Sequence, residues 1–546
     1  MKKPALYISV LTIVIHSLFE VTYSKAGDNV IHVKVDHMQI PVLRNVVNNP
    51  VMRIRVFTPN KVKLKSLTLD FSDITSREEL AYIKVYFSGK DSVFYNMGLV
   101  RTVSDIGEDQ EIIINRKLAA DTSYLWVSVT LKEDADLQHR LGVILKSLRF
   151  SGNRLVNTVQ DREALPLRFG EALRNHKDDG ADTYRIPGLA TTSKGTLLAI
   201  YDIRWDSSRD LQGDIDVGLS RSTDGGNAWE PMRKIMDMGE WGGLPQKYNG
   251  IGDPCILVNG EEIIVFGLWV FGAKDEQGNW VEGLTDTSKV WNHQWQANGS
   301  MPGLDPKQTA QFMMVKSTDD GITWTEPVNL THQLKKEDWW LFAPAPGNGI
   351  VMANGTLVIP TQGRDANGEP FSNISWSKDG GNSWHVSNTA SHNTTECSVA
   401  EYSPGKLMLN IRDNRNGENK SDTNGRAVYT TSDLGATWEE HPSSHGSLPE
   451  PVCMAALYKH EYVKNGEKRE VLIFSNPNSR YERENITVKF SLDGGITWPE
   501  KFWILLDAGQ GPGYSVITTI DENTIGIVYE SSRADLVFQR ISIPKF

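Results

Sequence analysis

"STDGGNAW", residues 222–229, sets a Ser, an Asp, two glycines and a Trp in the order Ser-x-Asp-x-Gly-x-x-Trp. The chain repeats it. "STDDGITW" fills 317–324, "SKDGGNSW" 377–384, "TSDLGATW" 431–438 with Thr for Ser, and "SLDGGITW" 491–498. From Trp229 through Trp324, Trp384, Trp438 and Trp498 the steps are 95, 60, 54 and 60 residues, by subtraction. An Asp carboxylate can accept backbone N–H groups inside a tight turn. The glycines permit positive φ, and the Trp can pack beneath the turn. Each box follows a strand-like run: "DIDVGLSRS", "QFMMVKS", "SNISWS", "RAVYTTS" and "ITVKFS". The box therefore reads as a structural hairpin between two strands, and its Asp as a turn former rather than a catalytic group.

A period of this size points to a propeller or a solenoid. Residues 165–546 number 382 (546 − 164), which at ~60 per repeat gives about six blades. The reading is all-β: a six-bladed β-propeller over 165–546 in which one blade has no box. The double-length gap, with its own strand signals "DPCILV" and "EEIIVFGLWV", is the expected place for that blade. Residues 27–160 carry no box. Short alternating runs such as "VIHVKV", "VMRIRVF", "AYIKVYF" and "SYLWVSVTL" predict a separate antiparallel β-sandwich. "SGNRLVNTVQDREALPL" is the expected junction.

Hydrophobic residues make up 39% of the chain and charged residues 23%, enough for a sizeable core. The net charge of -11 argues against nucleic acid or an anionic membrane surface as partner. At the N-terminus Lys2 and Lys3 precede the apolar "ALYISVLTIVIHSLF", and small residues follow at Ser24 and Ala26. Residues 1–26 therefore read as an export signal cleaved after Ala26, which predicts a periplasmic or extracellular protein. The apolar run is short for a membrane span. Cys255, Cys397 and Cys453 are an odd number and form no disulfide framework. There is no His-Glu-x-x-His and no Cys-x-x-Cys, and "DLQGDID" lacks the EF-hand spacing, so neither metal nor cofactor is expected.

Ahead of the first box lies "YRIPGLATTSKGTLLAIYDIRWDSSRDLQGDID". Arg185-Ile186-Pro187, the Asp-rich loop after it and the five boxes resemble the sialidase (neuraminidase) family, and the resemblance covers about 165–546. It implies a substrate, sialic acid, whose carboxylate sits on the carbon that bears the leaving group. Arginine suits such a group because its planar fork meets a carboxylate bidentately. Family members use three arginines, and the matches are Arg185, Arg412 in "LMLNIRDNR" and Arg480 in "FSNPNSRYERENITVKFS". The same carboxylate would repel an anionic nucleophile. A Tyr approaches neutral, and sialidases are the tyrosine exception among retaining glycosidases. Tyr514 in "GQGPGYSVI" is the implied nucleophile and Glu396 in "TTECSVAEY" its base. Glu401 is the competing carboxylate, expected to orient an arginine.

The implied acid/base is Asp210, with Asp206 as the alternative; Asp214 and Asp216 read as structural. Arg204 and Asp253 match positions that contact the sugar's hydroxyl and N-acyl side, and Trp269 and Gln362 are assigned to the acyl pocket and ring contacts. The function so implied is exo-α-sialidase action on sialylated glycans. The alternatives are a trans-sialidase, which shares these residues, and a non-catalytic sialic-acid-binding propeller. By analogy alone, the N-terminal sandwich is expected to bind carbohydrate or to orient the propeller.

Overall fold

The computed structural model describes residues 20–22, 30–71, 77–158, 166–210, 213–241, 245–272, 293 and 300–546. The expected export signal lies outside these residues except for Glu20–Thr22, a short strand paired with His32–His37. The chain divides into two compact units. One is Met1–Ala172 with Leu506–Gln510; the other is Leu173–Leu505 with Gly511–Phe546.

The N-terminal unit holds two antiparallel sheets. The larger runs, in spatial order, through Glu20–Thr22, His32–His37, Asn49–Thr58, Asp121–Leu131, Leu80–Gly89 and Leu99–Val103. The smaller runs through Leu155–Asn157, Ile144–Phe150, Val62–Asp70 and Asp109–Leu118. Period-two patterning dictates which side chains are buried. Ile54 and Val56, Leu125, Val127 and Val129, and Ile83 and Val85 are buried from the first sheet. Leu64, Leu67 and Leu69 are buried from the second.

The second unit is a succession of antiparallel meanders. The first is Thr183–Thr191, Leu197–Arg204, Ile215–Ser222 and Arg233–Met236. The second is Asn249–Asn259, Glu262–Phe271, Gln311–Ser317 and Val328–Asn329. A single parallel pairing, Ile215 with Gly250, joins these two. The third comprises Leu341–Pro344, Leu357–Arg364, Pro370–Ser377 and His385–Val386. The fourth is Thr394–Ser403, Lys406–Asp413, Ala427–Thr431 and Glu439–Glu440. Ala456–Lys464, Glu467–Pro477 and Ile486–Ser491 make the fifth. Ser515–Asp521, Thr524–Tyr529 and Leu536–Ser542 make the sixth.

Each box occupies the turn that follows the third strand of its meander. In the second, Ser317 Oγ donates to Asp319 Oδ1 (2.8 Å) and accepts from the Gly321 N–H (3.1 Å). Asp319 in turn accepts from the N–H (2.9 Å) and the hydroxyl (2.5 Å) of Thr323. These donors, the Thr323 hydroxyl foremost, hold the Asp319 carboxyl well below the usual range. The motif recurs because every such turn needs the same parts. The carboxylate is consumed inside its own turn, and the glycine two residues after the Asp, at positive φ, lets the turn lie flat on the neighbouring meander. Gly321 packs on Leu198 of the first, Gly381 on Ile264 of the second and Gly495 on Met408 of the fourth. A Cβ on Gly226, in the first box, would collide with the Phe538 ring of the sixth.

Among the described residues the long gap holds no boxless meander. Glu262–Phe271 and Gln311–Ser317 are adjacent strands of one sheet, so the intervening residues 272–310 are an insertion between neighbours. Among the described residues the meander without a box is the sixth, whose third strand is Leu536–Ser542.

Candidate active site

Three of the expected residues form one hydrogen-bonded group. The Tyr514 hydroxyl donates to Glu396 Oε1. Arg412 Nη1 donates to Glu396 Oε2 (2.5 Å) and to the Tyr514 oxygen (3.1 Å). Burial, and then the Glu396 carboxylate, hold the Tyr514 hydroxyl well above the usual phenol range. The resting phenol is therefore neutral, with a carboxylate in place to take its proton.

Arg185 stands over the same ring, its guanidinium carbon 5.5 Å from the Tyr514 centroid. Its Nε and Nη2 donate to the fully buried Glu530 at 2.5 and 3.2 Å. Glu530 also accepts from the backbone N–H of Ile186 (2.9 Å) and of Tyr514 (3.0 Å), so one carboxylate fixes both an arginine and the tyrosine backbone. Locally, Arg185 is the last residue paired, with Asp202, before a bulge at Ile186 and Pro187. The register shifts between Arg185 and Gly188, and Ile186 takes φ +58°. A β-branched residue at positive φ is strained, and such strain concentrates at sites. The feature recurs at Asp253 (φ +52°), inside a register shift between Gly252 and Cys255, and at Val452 (φ +55°).

The structure does not bring Arg480 to this group. Arg480 reaches outward to Asp422 (2.8 Å), which is almost fully exposed. Arg483, three residues on, places its guanidinium carbon 5.7 Å from the Tyr514 centroid. Its Nη1 and Nη2 donate to the carbonyls of Pro512 (3.0 Å) and Val452 (2.9 Å). "SRYER" offers two arginines three apart on an irregular connection, where no strand period decides which one points inward. Among the described residues, each of Arg185, Arg412 and Arg483 keeps N–H donors that the protein does not use.

A second group gathers acidic residues. The buried Arg204 donates to Asp202 Oδ2 from Nε (3.2 Å) and Nη2 (2.8 Å), and from Nη2 to Asp210 Oδ1 (2.5 Å). Asp202 also accepts from the Asp253 N–H (3.0 Å), and its carboxylate lies against Gly252, where a side chain would not fit. Burial pushes Asp202 up to about 6 despite Arg204. Burial, then Asp210 and Asp202, hold Asp253 well above the usual carboxylate range. Asp210 itself has a side chain 64% exposed. Oxygens of Asp202, Asp210 and Asp253 lie within 4.8 Å of one another. The guanidinium held against two of them makes this an ion-paired set rather than a cage for a cation.

The remaining expectations separate. Trp269 is buried in an apolar cluster with Met236, Ile251 and Met313, its ring 4.9 Å from Trp241 and its Nε1 on Asn249 (3.2 Å). It is a packing residue. Gln362, on Leu357–Arg364, donates to the Pro344 carbonyl (3.4 Å) and does not join the ionic group. Among the described residues Glu401 holds no arginine; it accepts from the N–H groups of Ala353 and Gly405, both at 2.8 Å. That role belongs to Glu530, which sequence reasoning missed along with Arg483 and Asp202. Asp206 is exposed. Asp216 is buried and accepts from Trp205 Nε1 (2.8 Å), which is a structural role. All three cysteines are free and buried.

A phenol beside a carboxylate, under arginines and accompanied by a separate exposed acid, is the equipment of a glycoside hydrolase. Residues 186–498 match the BNR repeat-like domain, and residues 31–104 the N-terminal domain of BNR-repeat neuraminidase. The chain is 39% identical over 535 residues to a sialidase of Bacteroides fragilis, covering 93% of this chain and 94% of that one. It is 28% identical to a sialidase of Paraclostridium sordellii over 66% of this chain and 84% of the relative. The solved structure of Hadza microbial sialidase Hz136 superposes with a TM-score of 0.82 at 37% identity, covering 93% of this chain and 99% of that one. The chain belongs to the BNR-repeat sialidase (neuraminidase) family.

Proposed function

We propose that the protein is an exo-α-sialidase that removes terminal sialic acid from glycans with retention, through a covalent adduct on Tyr514. The hydrogen bond from the Tyr514 hydroxyl to Glu396 carries this reading. Arg185, Arg412 and Arg483 clamp the substrate carboxylate with their unused donors. Tyr514 Oη attacks the anomeric carbon while Glu396 takes the phenolic proton. The bond from that carbon to the leaving oxygen breaks, and Asp210 delivers a proton to the oxygen. In the second half Asp210 takes a proton from water, the water oxygen bonds to the anomeric carbon, and the tyrosyl bond breaks as Glu396 returns its proton. Two displacements restore the starting configuration. Arg204 and Asp253 would meet the sugar's hydroxyl and N-acyl side.

For the scaffold we propose a six-bladed propeller. Six successive meanders support it, as does the docking of the first box on Phe538 of the sixth. Hydrogen bonds between first and last meander point the same way: Thr191 to the Thr519 carbonyl (2.5 Å) and the Tyr184 N–H to Asp535 (3.0 Å). The apolar N-terminal segment supports export, and none of the described residues forms a helix long and apolar enough to cross a membrane. The test of function is a time course on a fluorogenic α-sialoside, with and without an added galactoside acceptor. Free sialic acid in both arms, its α-anomer first, is expected. A sialylated acceptor as main product would make the enzyme a transferase, and first release of the β-anomer would exclude retention.

A further inference from the structure

Lys489, in Ile486–Ser491, is fully buried. Its Nζ donates to Asn478 Oδ1 (2.9 Å) and Asn476 Oδ1 (3.3 Å). The ammonium also stands 4.9 Å from the Trp503 ring centroid and 5.7 Å from that of Phe474. Among the described residues no carboxylate, histidine or second cation pairs with it. Two amide oxygens and two aromatic faces are its surroundings. An ammonium buried without a counter-ion is costly, so an apolar residue would serve the core better.

Its two partners lead to the site. Asn478 opens the connection that carries Arg483, and its N–H closes the base of that connection on the Asn485 carbonyl (3.0 Å). Asn476 Nδ2 donates to the Pro449 carbonyl (2.8 Å), three residues ahead of Val452, whose own carbonyl accepts from Arg483. The ammonium thus holds the connection that carries Arg483 directly, at Asn478, and reaches the segment of Val452 through Asn476. We propose that Lys489 is a positioning residue that presets Arg483 for the substrate carboxylate; this rests on the carboxylate-clamp reading above.

The grip has a pH window. Burial alone pushes the Lys489 ammonium down to about 7, and among the described residues no charged group opposes it. The charged form is therefore present below about pH 7 and is lost as pH rises through it.

The test measures binding of an unsaturated sialic acid analogue by calorimetry at pH 6 and pH 8.5, together with KM and kcat on a sialoside. Wild type, Lys489→Met and Arg483→Ala are compared. Lys489→Met is expected to weaken binding about tenfold at pH 6 and raise KM with a much smaller change in kcat. It should also abolish the weakening that wild type shows between the two pH values. If Arg483→Ala weakens binding but Lys489→Met binds as wild type at pH 6, the positioning role is overturned and the clamp stands. If Arg483→Ala binds as wild type, the clamp itself is wrong. Should Lys489→Met fail to fold, Asn478→Ala breaks the same link and is held to the same outcomes.

Discussion

Arg480 and Arg483 share one short connection, yet only the second stands over Tyr514. Arg483→Ala is expected to cost about 2–4 kcal/mol in kcat/KM, the scale for one partner of a desolvated charge pair. Arg480→Ala, whose ion pair is exposed, should leave it within about twofold. Equal losses in steady-state kinetics would return Arg480 to the clamp. Residue types and motif order made Arg185, Arg412, Glu396 and Tyr514 legible in the sequence. Glu530 was not legible, because an isolated Glu gives no sign that folding will bring it to Arg185, 345 residues away. A second residue-level prediction concerns pH. Burial pushes the Asp535 carboxyl up to about 6, although the Tyr184 N–H donates to it. The folded state then binds more protons than the unfolded one between about pH 4 and 6, so this group's contribution falls as pH rises through that window. Asp535→Asn keeps an acceptor oxygen and drops the charge. It should raise Tm at pH 7.5 and lose that advantage by pH 4. A gain that is the same at both pH values would refute the assignment.

Among elements, the box turn is the unit that repeats, and its chemistry is spent on itself. Ser377 Oγ donates to Asp379 (2.7 Å) and accepts from the buried Gly381 N–H (2.9 Å). Ser377→Ala leaves that amide unpaired, and a loss of about 1–3 kcal/mol in denaturant unfolding is expected, with KM unchanged. A large fall in kcat with stability intact would make the box functional after all. The five hairpins were plain in the sequence because the turn needs fixed residue types at fixed offsets. The placing of the boxless meander was not. Trp-to-Trp spacing counts residues without regard to pairing, so an insertion between two neighbouring strands looks like an extra repeat.

For the whole molecule, the contact that matters is between the ends of the catalytic unit. Trp229 meets Phe538 edge-on, with centroids 5.1 Å apart, and Gly226 lies against the same ring. Glu530, in the sixth meander, holds Arg185, in the first. Phe538→Ala should therefore cost about 3–5 kcal/mol of stability and lower the temperature at which activity is lost. A variant as stable as wild type would mean that this seam does not hold the unit closed. The proposed closure would set a neutral phenol against a carboxylate beneath three arginines. Whether Tyr514 is the nucleophile is decided by trapping the enzyme with a fluorinated sialosyl donor and mapping the adduct by peptide mass spectrometry. A single sialosyl label on Tyr514, absent in Tyr514→Phe, is the expected result. A label on Asp210 or Glu396, or full turnover by Tyr514→Phe, would contradict it.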